Sequence, residues 1–240
     1  MNIVVSGWPG AGSSTLALLL SYYHKYKLLR GTQTFRLIGS KLGYELTGED
    51  RIKADTYLEE YWGPVYDKYV DYILLNFDNY LVESDIAAFR IGLHDNIFSI
   101  FLAPSLESRQ KRLASDGRPE EIPLVAQREK DLQRDYINLN NQDWLDLEVV
   151  RSKHNLVLDT SYINLADELK IVYESLEKSG QDFKQIEKDF WNNGKDFYIN
   201  ELQNNDLLIS TEEIIRNITK TFRDDIELMP SKLKNIICNI

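Results

Sequence analysis

The sequence predicts an α/β fold: a three-layer sandwich in which a parallel sheet is flanked by helices, followed by a helical C-terminal extension. Three observations predict it. An apolar strand pattern from Ile3 runs through a glycine-rich turn into a helical stretch at Ser13. Short β-branched runs then alternate with long helical patterns to about residue 178. Past Glu177 the composition turns polar, rich in Asn, Asp and Lys.

Strands are expected at 2–6, 27–29, 80–83, 98–103 and 156–159. Each run is short and mostly apolar, as strands covered on both faces are. The helical patterns between them cover 13–24, 32–42, 49–75, 106–114, 124–138 and 165–176. Within the third, the aromatic and acidic stretch 57–66 reads as a helix kinked before Pro64 that packs on the core, with ring faces lining a ligand pocket as the alternative. Parallel strands gather their carboxyl ends on one edge of the sheet, where ligands bind. Glycine and two prolines break the pattern between Ser115 and Pro123, which reads as a mobile flap. Residues 1–178 form the expected main domain. Lys178-Ser179-Gly180 is a joint, and 179–240 is a helical extension in which Ser210-x-x-Glu213 resembles a capping box. The extension is expected to pack on the core or to pair with another subunit.

A chain of 240 residues with a net charge of −10 can bury a sizeable core. It does not offer the broad basic surface that nucleic acid or an anionic membrane requires. The single cysteine, Cys238, excludes an internal disulfide framework and fits a reducing compartment. No apolar run reaches membrane-spanning length, and the start lacks the basic-then-apolar layout of a signal peptide. A cytoplasmic protein is expected. His24, His94 and His154 lack ligand spacing, so histidine is not expected to bind metal.

The first glycine-rich turn carries the chemistry. Gly7, Gly10 and Gly12 allow a tight turn with inward N–H groups, and the helix opening at Ser13 adds the positive end of its dipole. This suits a polyphosphate. Counted from Gly7 in the pattern G-x-x-x-x-G-K-[ST], Gly12 and the hydroxyl of Ser14 are in place, but Ser13 occupies the lysine position. Ser14 offers its hydroxyl at the Mg²⁺ position, with Thr15 just behind.

Residues 1 to about 177 resemble the cytidylate kinase-like nucleoside monophosphate kinases, especially the short archaeal type. The resemblance runs through the loop, Thr34-Phe35-Arg36, Leu81-Val82-Glu83-Ser84-Asp85-Ile86-Ala87, and Phe98–Pro104 followed by Glu107-Ser108-Arg109 and Arg112. It continues through Arg128-Glu129-Lys130 with Arg134 and Tyr136, and through Leu156-Val157-Leu158-Asp159-Thr160-Ser161. Asp85 and Asp135 stand where the family pattern has arginines.

The resemblance implies ATP and Mg²⁺ as cofactors and a nucleoside monophosphate, CMP or dCMP, as acceptor. In that scheme Gly7, Gly10, Ala11, Gly12, Ser13, Ser14 and Thr15 form the donor site. Amides of residues 11–15 hold the β-phosphate, and Ser14 ligates Mg²⁺. Arg36 anchors the acceptor phosphate, with Arg90 and Arg118 as candidates for the lost arginines. The lid, about 115–123, brings Arg118, Arg128 and Arg134 over the transferring group. Taken alone, Arg128 and Arg134 read as surface salt bridges to Asp131 and Asp135. Two other readings stay open: a nucleotide-binding pseudokinase whose extension binds a partner, and a kinase of another small acceptor. The oligomeric state is not legible. Deleting the chain beyond Gly180 is expected to spare nucleotide binding.

Overall fold

Side-chain alternation along the strands sets the architecture. Successive residues of a strand point to opposite faces, and here Ile3, Val5, Leu28, Leu81, Ile100 and Leu102 enter one apolar cluster, while Val4, Leu29 and Val82 enter another. Both faces must therefore be covered by helices.

The structure, a computed structural model, describes residues 1–45, 48–117, 119–140, 142–177, 180 and 182–240. The sheet consists of β1 (Asn2–Gly7), β2 (Lys27–Arg30), β3 (Tyr80–Glu83), β4 (Ile97–Leu102) and β5 (Leu156–Leu158), all parallel in the order β2-β3-β1-β4-β5. Helices α1 (Ser13–His24), α9 (Leu165–Ser175) and α10 (Phe183–Asn204) contribute to the first cluster. The second takes in α2 (Gly31–Leu42), α3 (Gly48–Tyr61), α4 (Gly63–Asn76), α5 (Ala87–Ile91), α11 (Thr211–Thr221), α12 (Arg223–Glu227) and α13 (Ser231–Ile237). Toward the β5 edge, α6 (Leu106–Ser115), a 3₁₀ turn (Pro119–Glu121), α7 (Ile122–Asn140) and α8 (Leu147–Lys153) complete the fold. The expected three-layer α/β sandwich with a parallel sheet is present. From β1 the chain turns toward β2, and from β4 toward β5, so a crevice opens beyond the carboxyl end of β1.

The single helix expected over 49–75 is two helices. Trp62 separates them, fully buried, with its indole N–H donating to Thr34 Oγ1 at 3.1 Å, and Pro64 lies in the first turn of α4. The short helices α5 and α8 were not expected. The latter is started by Asp146, which accepts from the Glu148 amide at 2.9 Å. Ser210 caps α11 as the sequence suggested, accepting from the Glu213 amide at 3.1 Å.

The C-terminal helices join both clusters: Ile186, Phe190, Tyr198 and Leu202 in the first, Ile214, Ile215, Ile218 and Leu233 in the second. The segment between α10 and α11 also runs parallel to the outer edge of β2. There the Leu28 amide donates to Leu207 at 2.7 Å and the Ile209 amide to Leu28 at 3.2 Å. That covers an otherwise open sheet edge. No helix among the described residues is long and apolar enough to cross a membrane.

This packing revises the expected effect of truncation, since removing the extension would strip both apolar clusters and uncover β2. Ile215→Ala is expected to destabilise the whole protein by about 2–5 kcal/mol in urea unfolding; a change below about 0.5 kcal/mol would mark the extension as an appendage. A second expectation concerns buried His154, whose Nδ1–H donates to Val150 at 2.9 Å while Nε2 faces Ser6 Oγ at 3.0 Å. Burial lowers its pKa from 6.5 to about 4. The folded state favours the neutral ring, so its contribution is complete above pH 6.5 and is lost as the pH falls toward 4. The loss, on the order of 3 kcal/mol, should appear as the difference between wild type and His154→Gln in pH-dependent unfolding. Parallel pH profiles would refute it.

Candidate active site

β1 ends on Gly7, where any side chain is excluded because a Cβ would lie 2.8 Å from the Leu102 carbonyl oxygen. The loop that follows turns through left-handed backbone at Gly10 (φ 81°) and Gly12 (φ 101°), conformations that favour glycine. No side chain caps α1, and its first turn carries no acidic residue. The Ala11 amide is used within the loop, donating to Trp8 at 2.8 Å, but the amides of Gly10, Gly12, Ser13 and Ser14 donate to nothing among the described residues. Four unclaimed N–H groups at the positive end of a helix fit an anion with several oxygens.

Two arginines of α6 hold the loop's carbonyls. Arg109, 2% exposed, donates to Pro9 at 3.1 Å, pairs with Glu129 of α7 and lies 5.5 Å over the Trp8 ring. Arg112 donates through one terminal nitrogen to the Ala11 carbonyl and through the other to Thr160 at 2.6 Å, tying the loop to the segment after β5. Glu168 of α9 is buried in the field of Arg112. Burial raises its carboxyl to about 7 against the pull of that cation.

On the other side of the crevice β2 and β3 end side by side, with Arg30 opposite Glu83 in register. Glu83 accepts from the Ser14 hydroxyl and from Arg30 Nε at 3.0 Å. A hydroxyl and a carboxylate together are the oxygen donors that a hard divalent ion takes, so the pair fits Mg²⁺. Beside them Asp85 is half-buried, and burial pushes its carboxyl up to about 6, opposed by Arg128 and reinforced by Glu83. Glu59, at the end of α3, keeps solvent contact. The protein mass around it, followed by the charges of Asp67, Asp55 and Asp85, raises it to about 7 despite Arg128. Among the described residues no cluster of three or more His, Cys, Asp or Glu could hold a metal.

The structure brings Gly7, Gly10, Ala11, Gly12, Ser13, Ser14 and Thr15 together in this loop and the start of α1. Arg128 is placed in the field of Asp85 and Glu59. Arg134 is exposed and pairs with Asp131 at 3.5 Å. Arg90 faces α4, bound by Asp67 at 2.8 Å and Asp71 at 2.7 Å. Arg36 is exposed on α2, and Arg118 and the Asp135 side chain lie outside the described residues. Arg30 and Glu83 received no role from the sequence, although each closes a parallel strand on the ligand edge. Sequence alone assigns no role to Arg109 and Arg112, because only the fold shows which carbonyls they reach.

No protein-family model matches the chain. A cytidylate kinase of Pyrobaculum islandicum is 32% identical over 175 residues, which span 70% of this chain and 89% of that protein. Those of Sulfolobus acidocaldarius and Saccharolobus islandicus are 28% and 25% identical, covering 92% and 98% of their own lengths. Among solved structures, an uncharacterized protein from Eubacterium ventriosum superposes with a TM-score of 0.49 at 10% identity, over 74% of this chain and 98% of that one. The likeness to the Pyrobaculum enzyme joins a glycine loop of unclaimed amides to nearly the whole length of a named relative, and this chain belongs to the cytidylate kinase family.

Proposed function

We propose that this protein transfers a phosphoryl group from ATP to a nucleoside monophosphate, CMP or dCMP, giving the diphosphate. The observation that carries the reading is the set of four unclaimed amides beside the Ser14–Glu83 pair, in a chain of this family. Phosphoryl transfer asks a protein for alignment, exclusion of water and neutralised charge rather than covalent chemistry.

In this reading the amides of Gly12, Ser13 and Ser14 hold the donor's β-phosphate, with Gly7, Gly10, Ala11 and Thr15 shaping the loop. Ser14 and Glu83 would hold Mg²⁺, which would supply positive charge to the donor's phosphates. Arg36, with Arg30 beside Glu83, meets the acceptor's phosphate across the ends of β2 and β3. Arg128 comes from α7 over the transferring group, with Arg118 and Arg134 as the remaining lid cations. Arg90 serves the acceptor by way of α4, which it orients through Asp67 and Asp71. A second reading, nucleotide binding without turnover, is favoured by one feature: the carboxylates of Asp85, Glu59 and Glu83 share the cleft that an acceptor phosphate would enter.

An ADP-release assay across the nucleoside monophosphates, with ATP and Mg²⁺, separates the two. Turnover with CMP but not AMP supports the first; ATP binding without turnover on any acceptor supports the second. Arg36→Ala is expected to raise the acceptor's KM about tenfold or more while sparing that of ATP, and an equal effect on both would remove its role. Glu83→Gln should lower kcat by about 10²–10³ and shift the Mg²⁺ dependence upward. An unchanged Mg²⁺ profile would take Glu83 out of the metal site.

A further inference from the structure

Ser13 leaves the loop without its lysine, and the cations nearest the loop approach it from α6. We propose that Arg112 is the positioning residue that takes over the work of the missing ammonium group, aiming the loop's amides and setting a positive charge behind them. The inference rests on reading the loop as the ATP site.

Its physical basis is the planar peptide. The carbonyl of residue i and the N–H of residue i+1 belong to one rigid group and point in opposite directions. By holding the Ala11 carbonyl, Arg112 therefore fixes where the Gly12 N–H points, and Arg109, holding Pro9, does the same for Gly10. Two of the four unclaimed amides are thus aimed from behind. Arg112 is itself fixed, because its second terminal nitrogen is bound to Thr160 at 2.6 Å. The planar guanidinium fork holds its two terminal nitrogens at a fixed spacing on the two carbonyls, a pre-organisation that the rotatable ammonium of a lysine lacks. The charge is close as well. A Cβ at Gly12 would stand 3.5 Å from Arg112 Nη1, so the cation lies directly against the peptide that offers its N–H to the cleft. A charge-assisted bond to the carbonyl polarises that peptide and strengthens its N–H as a donor.

The test is calorimetric titration with ATP and Mg²⁺, with melting temperature followed in parallel. Arg112→Ala is expected to weaken ATP binding about 10–100-fold while leaving adenosine binding unchanged. Ser13→Lys should recover most of that loss in the Arg112→Ala background and improve wild type by a smaller factor, since the two cations do one task. The inference is overturned if Ser13→Lys gives the same factor in both backgrounds, or if ATP and adenosine weaken together. Should Arg112→Ala fail to fold, Glu168→Gln removes the neighbouring carboxylate and keeps the arginine's bonds to the loop. Tighter ATP binding then supports the charge acting through the loop, and unchanged affinity opposes it. Because no acceptor is present, a wild type that binds ATP yet phosphorylates no monophosphate removes the acceptor reading alone.

Discussion

The structure depends on one constraint: a loop that shows its amides to a cleft must turn its carbonyls inward, and inward carbonyls need donors. Arg109 and Arg112 supply them. They can do so only because α6 follows β4 directly, β4 lies beside β1, and Gly7 lets the two strands stay close where β1 ends. The alternation that buries Val5 and Leu102 on the same face fixes that neighbourhood. Packing in the sheet therefore reaches the site through two peptide groups.

Charge is distributed with equal economy. Among the described residues, Arg30 pairs with Glu83, Arg90 with Asp67 and Asp71, Arg109 with Glu129 and Arg134 with Asp131. A phosphate entering the cleft would compete with Glu83 for Arg30, which in a chain of net charge −10 would oppose binding. The opposition is softened where it is greatest. Burial raises the Asp85 carboxyl to about 6, and the neighbouring acids add to the rise at Glu59, so both give up a negative charge more readily than ordinary carboxylates.

Much of the fold was legible because its signals are local. Strand and helix positions followed from short apolar runs and caps, and β3 and α1 match their expected bounds residue for residue. The interruption before Pro64 is legible from the proline, but that it is a full break into two helices is not, because the buried Trp62 indole bonded to Thr34 is a tertiary fact. Helices α5 and α8 escaped notice because five and seven residues are too short for a 3.6-residue period to register. In the site, the glycine loop was readable from spacing, since positive φ demands glycine. Roles for Arg30, Glu83 and Arg112 were not readable, because they depend on which strand ends lie side by side and on main-chain carbonyls that have no sequence signature.

The extension shows how far such dependence runs. β2 is only four residues long and would be the sheet's outer strand, with Leu28 offering an unpaired amide and carbonyl to solvent. Leu207 and Ile209 satisfy both groups, and Leu202, Leu207 and Leu208 cover the adjoining apolar face. The register of β2 against β3 sets Arg30 opposite Glu83, which in turn receives the Ser14 hydroxyl. The segment 207–209 therefore braces the strand that carries Arg30, and the helices after Gly180 belong to the scaffold of the cleft.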